Sequence, residues 1–216
     1  MLKTVHMAVY DTFADWEVGH ATAHLNRPLW QREPEAWQVR TVGATLDPVV
    51  SAGGMRVVPD ITLEELSPAD SAMLLLPGAD TWVTGDLAAF GRKAREFLAA
   101  GVPVAGICGA TFGLATEGLL DHRAHTSNDA SFLAMSEYSG GTRYVAEPAV
   151  TAGDLITATG TRPVDFARAV LARLDVYEPH VLDAWYALYG DNDPQGFYTL
   201  AEYEQQRAVP ETAARG

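Results

Sequence analysis

The chain has 216 residues, 48% apolar and 20% charged, with 15 basic against 28 acidic side chains and a formal net charge of -13. That composition belongs to an ordinary globular protein long enough for one sizeable core, and it excludes a disordered chain. The acidic balance, with no cluster of Lys or Arg, argues against nucleic acid or an anionic membrane as partner, because phosphates are bound by such clusters.

No cationic start followed by an apolar run reads as a signal peptide, and no apolar stretch approaches the roughly 20 residues that span a bilayer. The single cysteine, Cys108, has no partner for an internal disulfide and makes no thiolate metal site alone. A reducing cytoplasm is the expected location.

Val5 to Tyr10 is short and apolar and predicts a buried first strand. Thr12-Phe13-Ala14-Asp15 has the Thr-x-x-Asp form of a helix start, and the helix it opens carries Trp16, Glu17, His20, His24 and Leu25 before Pro28. Trp37 to Val42 predicts a second strand. Val49 to Val58 predicts a hairpin turning at Gly53-Gly54. Ser71 to Leu76 is a buried strand closed by Pro77-Gly78. Leu87 to Ala100 has helical spacing and stops at Gly101. Val102 to Ile107 is a strand leading into Cys108, and Gly109, Ala110 and Gly113 open a helix that runs to Gly118. A second hairpin is expected over Ala149 to Thr159, turning at Gly153-Asp154, and a helix over Pro163 to Leu174. Strands alternating with helices imply βαβ units and a mostly parallel sheet.

Residues 1–176 are read as the main domain. Residues 177–216 are read as a helical extension, with turn residues from Gly190 to Gly196, packed on the same domain or on a partner subunit. Pro210 to Gly216 are expected to fray.

The chemistry centres on Gly106-Ile107-Cys108-Gly109-Ala110, which follows an apolar strand and precedes a helix of small residues. This is the setting of a nucleophile elbow, the cysteine analogue of Gly-x-Ser-x-Gly. A sharp strand-to-helix turn presents the side chain outward, and the positive end of the helix favours thiolate over thiol. A thiol pKa below the free value of about 8.5 is the corresponding expectation. At the carboxyl edge of a parallel sheet the position also lies where ligands bind. His20 and His24 sit at metal-ligand spacing but have no third ligand in an obvious motif, so no metal is expected.

The order of motifs resembles the DJ-1/PfpI family of the class I glutamine-amidotransferase-like superfamily. The resemblance rests on Asp15-Trp16-Glu17 after the first strand, Val57-Val58-Pro59-Asp60, Leu74-Leu75-Leu76-Pro77-Gly78, Ala105 to Ala110, and Gly118-Leu119-Leu120-Asp121 to His125-Thr126-Ser127-Asn128, and it covers about residues 3 to 175. It implies a flavodoxin-like three-layer α/β/α sandwich with a nucleophile elbow, no cofactor, and a homodimer, for which the aromatic tail from Tyr177 to Tyr203 is a candidate interface. It also implies that Glu17, largely protonated, hydrogen-bonds the Cys108 thiolate, and that the backbone amides of Gly78 or Ala79 and of Gly109 form an oxyanion hole. His125 is the candidate imidazole near the cysteine, with Asn128 or Asp129 as the alternatives facing it.

Several departures narrow the activity. Gly109 stands where peptidase members carry His and isonitrile-hydrating members Thr, and Gly160 to Phe166 replaces the His-x-Glu motif of glutaminases. The expected function is covalent thiol chemistry by Cys108 on a small electrophile, as hydrolase, amidase or glyoxalase-like lyase, with substrate unknown. A redox sensor that oxidises Cys108 and a non-enzymatic stabilising protein are the alternatives.

Overall fold

The apolar runs of the sequence lie side by side in one sheet. The computed structural model describes residues 2–208. In chain order the elements are β1 (Lys3–Ala8), α1 (Asp15–Asn26), β2 (Trp37–Gly43), β3 (Val49–Val50), β4 (Arg56–Val57), β5 (Ile61–Thr62), β6 (Met73–Leu76), α2 (Ala88–Ala99), β7 (Val104–Ile107), α3 (Gly109–Thr116), α4 (Ala130–Ala134), β8 (Ala149–Ala152), β9 (Leu155–Ala158), α5 (Pro163–Arg173), α6 (Pro179–Tyr189) and α7 (Pro194–Ala208). Seven strands form the sheet in the order β5-β2-β1-β6-β7-β9-β8, parallel throughout except for β8 against β9. Helices α1 and α5 cover one face, and α2 and α3 the other. This is the expected flavodoxin-like α/β/α sandwich.

Val5, Leu74, Leu75, Leu76, Val104, Ala105, Ile107 and Ile156 are wholly buried. Parallel strands covered on both faces need such unbroken apolar runs. Both expected hairpins form: β3 with β4, turning through Gly54 at φ 83°, and β8 with β9, turning through Gly153 at φ 65°. The order reverses beside β1, so the carboxyl ends of β1, β6, β7 and β9 open onto one crevice.

Thr12 and Asp15 do not cap α1 as expected. Thr12 has φ 62°, Ala14 is the residue before the helix, and no side chain caps it. The Asp15 carboxylate instead accepts from the Ser51 hydroxyl and, at 3.1 Å, the Gly53 N–H. It ties the first hairpin to α1, a long-range bond that outweighs the local cap.

The C-terminal helices pack on their own chain. Val181, Trp185 and Leu200 are buried, and α6 lies against α5 and carries α7. The anchor is His24. Its Nε2 accepts from the Trp185 indole N–H at 3.0 Å, and its Nδ1 lies 2.9 Å from the Tyr177 hydroxyl. An indole only donates, so Nε2 is bare and Nδ1 carries the proton. The His20–His24 spacing therefore serves packing, with the rings stacked at 6.5 Å. Tyr177 and Trp185, the centre of the proposed aromatic interface, are spent inside the chain, while Phe197 and Tyr198 stay exposed. The expected fraying of Pro210 to Gly216 lies outside the described residues. No helix among the described residues is long and apolar enough to cross a membrane.

His24 carries a pH dependence. Burial first, then His20 and Arg27, lower its pKa from 6.5 to about 4. A base depressed in the folded state costs nothing above its ordinary pKa and costs progressively more as pH falls through it. Wild type is expected to lose on the order of 2 kcal/mol of stability on acidification from about pH 7 to about pH 4.5 that His24→Gln does not lose. Urea titrations of both proteins across that range check this, and parallel curves would refute it.

Candidate active site at the carboxyl edge of the sheet

Four strand ends build the site. Glu17 enters on the first turn of α1 after β1, Gly78 follows β6, Cys108 follows β7, and Gly160 follows β9. Asn128 comes from the loop before α4.

Cys108 has φ 58° and ψ -124° and directly precedes α3. That conformation is unfavourable for a residue with a Cβ, and it turns the sulfur off the end of β7 toward Glu17. The Cys108 N–H still donates to Ala158 O at 3.0 Å, so the elbow is pinned to β9. Glu17 is 1% exposed and hydrogen-bonds the thiol. Its Oε2 accepts from the Gly78 N–H at 2.7 Å.

The pair is held between two glycines. A Cβ on Gly78 would lie 3.1 Å from Cys108 Sγ and 2.9 Å from Glu17 Oε2, and one on Gly160 would lie 2.7 Å from Sγ and 2.8 Å from Glu17 Oε1. Any side chain at Gly160 would displace the sulfur or the carboxyl.

Asn128, not His125, reaches the sulfur. Asn128 Nδ2 lies 3.2 Å from Sγ, while its Oδ1 accepts from the Gly160 N–H at 2.8 Å. The Gly160 donor fixes which end of the amide is the oxygen, so the NH2 end must face Cys108. The expectation that His125 stands beside the cysteine is corrected here. His125 is fully buried, with Nδ1 2.8 Å from Arg123 O and Nε2 2.9 Å from the Tyr138 hydroxyl. Both ring nitrogens are occupied away from the site. Asp129 likewise turns aside, accepting from the Ser131 N–H at 2.8 Å.

The expected oxyanion donors are redistributed. The Gly78 N–H is taken by Glu17, and the Gly109 backbone N–H beside the thiol acts to lower its pKa. The Ala79 N–H has no protein partner among the described residues. Ala79 N lies 3.3 Å from where a Cβ on Gly109 would stand, so it faces the elbow and is the donor left for an incoming oxygen.

Electrostatically the site is a coupled acid pair. Burial raises the Glu17 pKa, against the Gly78 N–H and the thiol, which lower it. Burial first, and the Glu17 charge second, push the Cys108 thiol up to about 11, while the Asn128 and Gly109 donors act the other way. The expectation of a depressed thiol pKa fails for this reason: the pole of a short helix is outweighed by desolvation and by a neighbouring negative charge. Between the two titrations the pair holds one proton and one negative charge in common.

A cavity of ≈ 340 Å³ is lined by Asn128 and Thr159 with Ser127, Tyr144, Glu147 and Arg162, but not by Cys108 or Glu17. Its wall is about half polar, with charges of both signs. A smaller cavity of ≈ 170 Å³ against Trp82, Val83, Ala88 and Phe112 is more apolar and holds no nucleophile. Among the described residues no group of three or more His, Cys, Asp or Glu side chains is placed to hold a metal ion.

Two stability measurements test this geometry. A carboxyl whose pKa is raised on folding costs stability once pH exceeds its ordinary value of 4.5. Glu17→Gln should therefore melt higher than wild type at neutral pH, with the gap closing as pH falls toward that value. A lower melting temperature at neutral pH would refute a buried carboxylate cost. Because Cys108 is strained, Cys108→Gly should be more stable than Cys108→Ala by about 1–2 kcal/mol, and equal stabilities would remove the strain.

The sequence and the fold are similar to those of known proteins. The model of the DJ-1/PfpI family matches residues 3–173. The protein named "Uncharacterized protease YoaZ" of Bacillus subtilis (strain 168) is 38% identical over 201 residues, 92% of this chain and 96% of that protein. "Uncharacterized protease YdeA" of the same organism is 32% identical over 188 residues, 84% of this chain and 88% of its own length. Among solved structures, a thiJ/pfpI family protein from Bacillus anthracis superimposes with a TM-score of 0.88 at 36% identity, covering 94% of this chain and 97% of that one. A DJ-1 superfamily protein from Agrobacterium tumefaciens gives a TM-score of 0.75 at 32% identity over 86% of this chain and 98% of its own. With a family model spanning most of the chain and relatives that match nearly end to end, this chain belongs to the DJ-1/PfpI family.

Proposed function

We propose that the protein is a cysteine-dependent enzyme that adds the Cys108 sulfur to a small electrophilic carbon, an aldehyde or an amide carbonyl. What supports this reading is the surroundings of the sulfur: the Asn128 amide NH2 3.2 Å from it and the buried Glu17 carboxyl against it.

In the resting pair one proton lies between carboxyl and thiol. As the sulfur attacks, the S–H bond breaks toward Glu17, and Asn128 and Gly109 stabilise the sulfur while it is negative. The S–C bond forms, the carbonyl π pair moves to oxygen, and that oxygen meets the Ala79 N–H. Glu17 then returns its proton, to the oxygen to close a hemithioacetal from an aldehyde, or to the leaving nitrogen to expel an amine and leave a thioester that water opens. One residue serves as base and then acid, which is what a carboxyl of raised pKa can do near neutrality.

The two Bacillus subtilis relatives are named as proteases. In this chain Gly109 follows the cysteine and both ring nitrogens of His125 are occupied away from it, so a peptidase's imidazole base is not in place beside the sulfur.

Iodoacetamide alkylation of Cys108 against pH is the test. A shared proton predicts a plateau of reactivity through neutral pH in wild type, and a single sigmoid in Glu17→Gln. A screen of small aldehydes and amides should then find turnover that Cys108→Ser abolishes and Glu17→Gln lowers about 10²- to 10⁴-fold. A wild-type profile that is one ordinary thiol titration, or turnover that survives Cys108→Ser, would overturn the reading.

A further inference from the structure

Behind the site lies a buried polar cluster that neither touches the sulfur nor is explained by packing alone. The Tyr10 hydroxyl donates to Pro77 O. The Trp82 indole N–H lies 3.0 Å from the same Pro77 O and 3.1 Å from the Tyr10 hydroxyl. Tyr10 is 6% and Trp82 3% exposed. Pro77 C=O and Gly78 N–H belong to one peptide unit, and in a trans peptide they point in opposite directions. Whatever fixes the carbonyl therefore fixes the N–H, and that N–H is the one that holds Glu17 Oε2 at 2.7 Å.

We infer that Tyr10 and Trp82 are positioning residues for the Glu17–Cys108 pair: they lock the Pro77–Gly78 peptide so that its N–H holds Oε2 and thereby orients the Glu17 carboxyl against the sulfur. The inference rests on the reading of that pair given above. The far side of the same turn is pinned too, because Gly78 O accepts from the Ala14 N–H at 2.9 Å, just before α1. Gly78 lacks a side chain because Cys108 and Glu17 fill that space, so the turn is free to rotate about its bonds more easily than any other residue would be. A freely rotating peptide would present the N–H or the carbonyl to Glu17 with no preference, and a carbonyl there would repel the carboxylate. The donors on Pro77 O remove that choice.

The rings are built for the task. Tyr10 meets Trp82 edge-on at 5.8 Å and Phe90 at 5.2 Å. Any side chain at Gly113 would overlap the Trp82 ring, so α3, the helix that begins at the elbow, leaves the indole the space in which its N–H reaches Pro77. One helix thus seats both the nucleophile and the group that steadies the nucleophile's acid partner.

Tyr10→Phe and Trp82→Phe keep the rings and remove the donors. Because the Gly78 N–H lowers the Glu17 pKa, loosening it should move the onset of the Cys108 alkylation plateau to higher pH. Because a more basic Glu17 makes the thiolate a larger share of the singly charged pair, the plateau itself should stand about three- to ten-fold higher in each variant, and more in the double variant. Titration of the Glu17 carboxyl carbon by NMR should show the same upward movement, and it reads the inference even where alkylation is slow. Phe90→Leu, which loosens the same aromatic cluster without touching Pro77, should lower the melting temperature and leave both titrations in place. Unchanged titrations in Tyr10→Phe and Trp82→Phe, or an equal movement in Phe90→Leu, would overturn the inference. A wild-type protein with no plateau would instead sink the reading of the pair itself.

Discussion

Everything in the site follows from bringing a carboxyl and a thiol out of water and into hydrogen-bond contact. Neither group tolerates that as two anions, so the pair keeps a proton where an isolated carboxyl would have released it. The constraint is severe in space as well as in charge. The sulfur and the two carboxyl oxygens fill the room that side chains at residues 78 and 160 would occupy, so two separate strand ends must carry glycine. The parallel sheet makes this arrangement accessible, because it delivers the ends of β1, β6, β7 and β9 to one edge without any of them travelling far.

The charge on the sulfur is set by a contest that the helix does not win. α3 is only two turns long, with its amino end at Cys108, and such a pole contributes about 0.3–1 kcal/mol at a partly exposed site. Desolvation and the adjacent carboxylate exceed it, which is why the thiol rises to about 11 while Glu17 is charged. The directional donors from Asn128 and Gly109 matter more than the pole. In the proposed mechanism they stabilise the thiolate while its proton is on Glu17, so reactivity would belong to the pair's geometry and not to a permanently ionised sulfur.

How much of this was legible in the sequence divides along distance. The apolar runs Leu74-Leu75-Leu76 and Val104 to Ile107, and the small residues flanking Cys108, signal buried strands and an elbow because each signal is contained within a few residues. The errors came where a local pattern met a distant competitor. Thr12-x-x-Asp15 has the form of a cap, but Ser51 and Gly53 claim the carboxylate. His125 and Asn128 are three residues apart on one extended stretch. A single sequence does not reveal which of them faces the sulfur, because that depends on the bridge between His125 and Tyr144 and on Tyr138 closing over the imidazole. The aromatic tail would look the same whether its partner is another subunit or α1 of its own chain. The His24 contact shows that Trp185 packs on α1 of its own chain.

Gly160 and Tyr10 show the deeper limit. Gly160 stands in a stretch that carries no motif, yet its missing side chain and its N–H both serve the site, the first by leaving room for the sulfur and the second by orienting Asn128. Tyr10 lies 67 residues from the carbonyl it holds, and nothing near it in sequence distinguishes it from a tyrosine that merely packs. Residues that act through a backbone peptide leave no chemical signature of their own. Their role appears only when the peptide's other end is traced to a reacting group. Here Pro77 O leads to Gly78 N–H, and Gly78 N–H to Glu17. The carboxyl that must accept and return a proton is therefore aimed by a chain of contacts that begins on the opposite side of the turn.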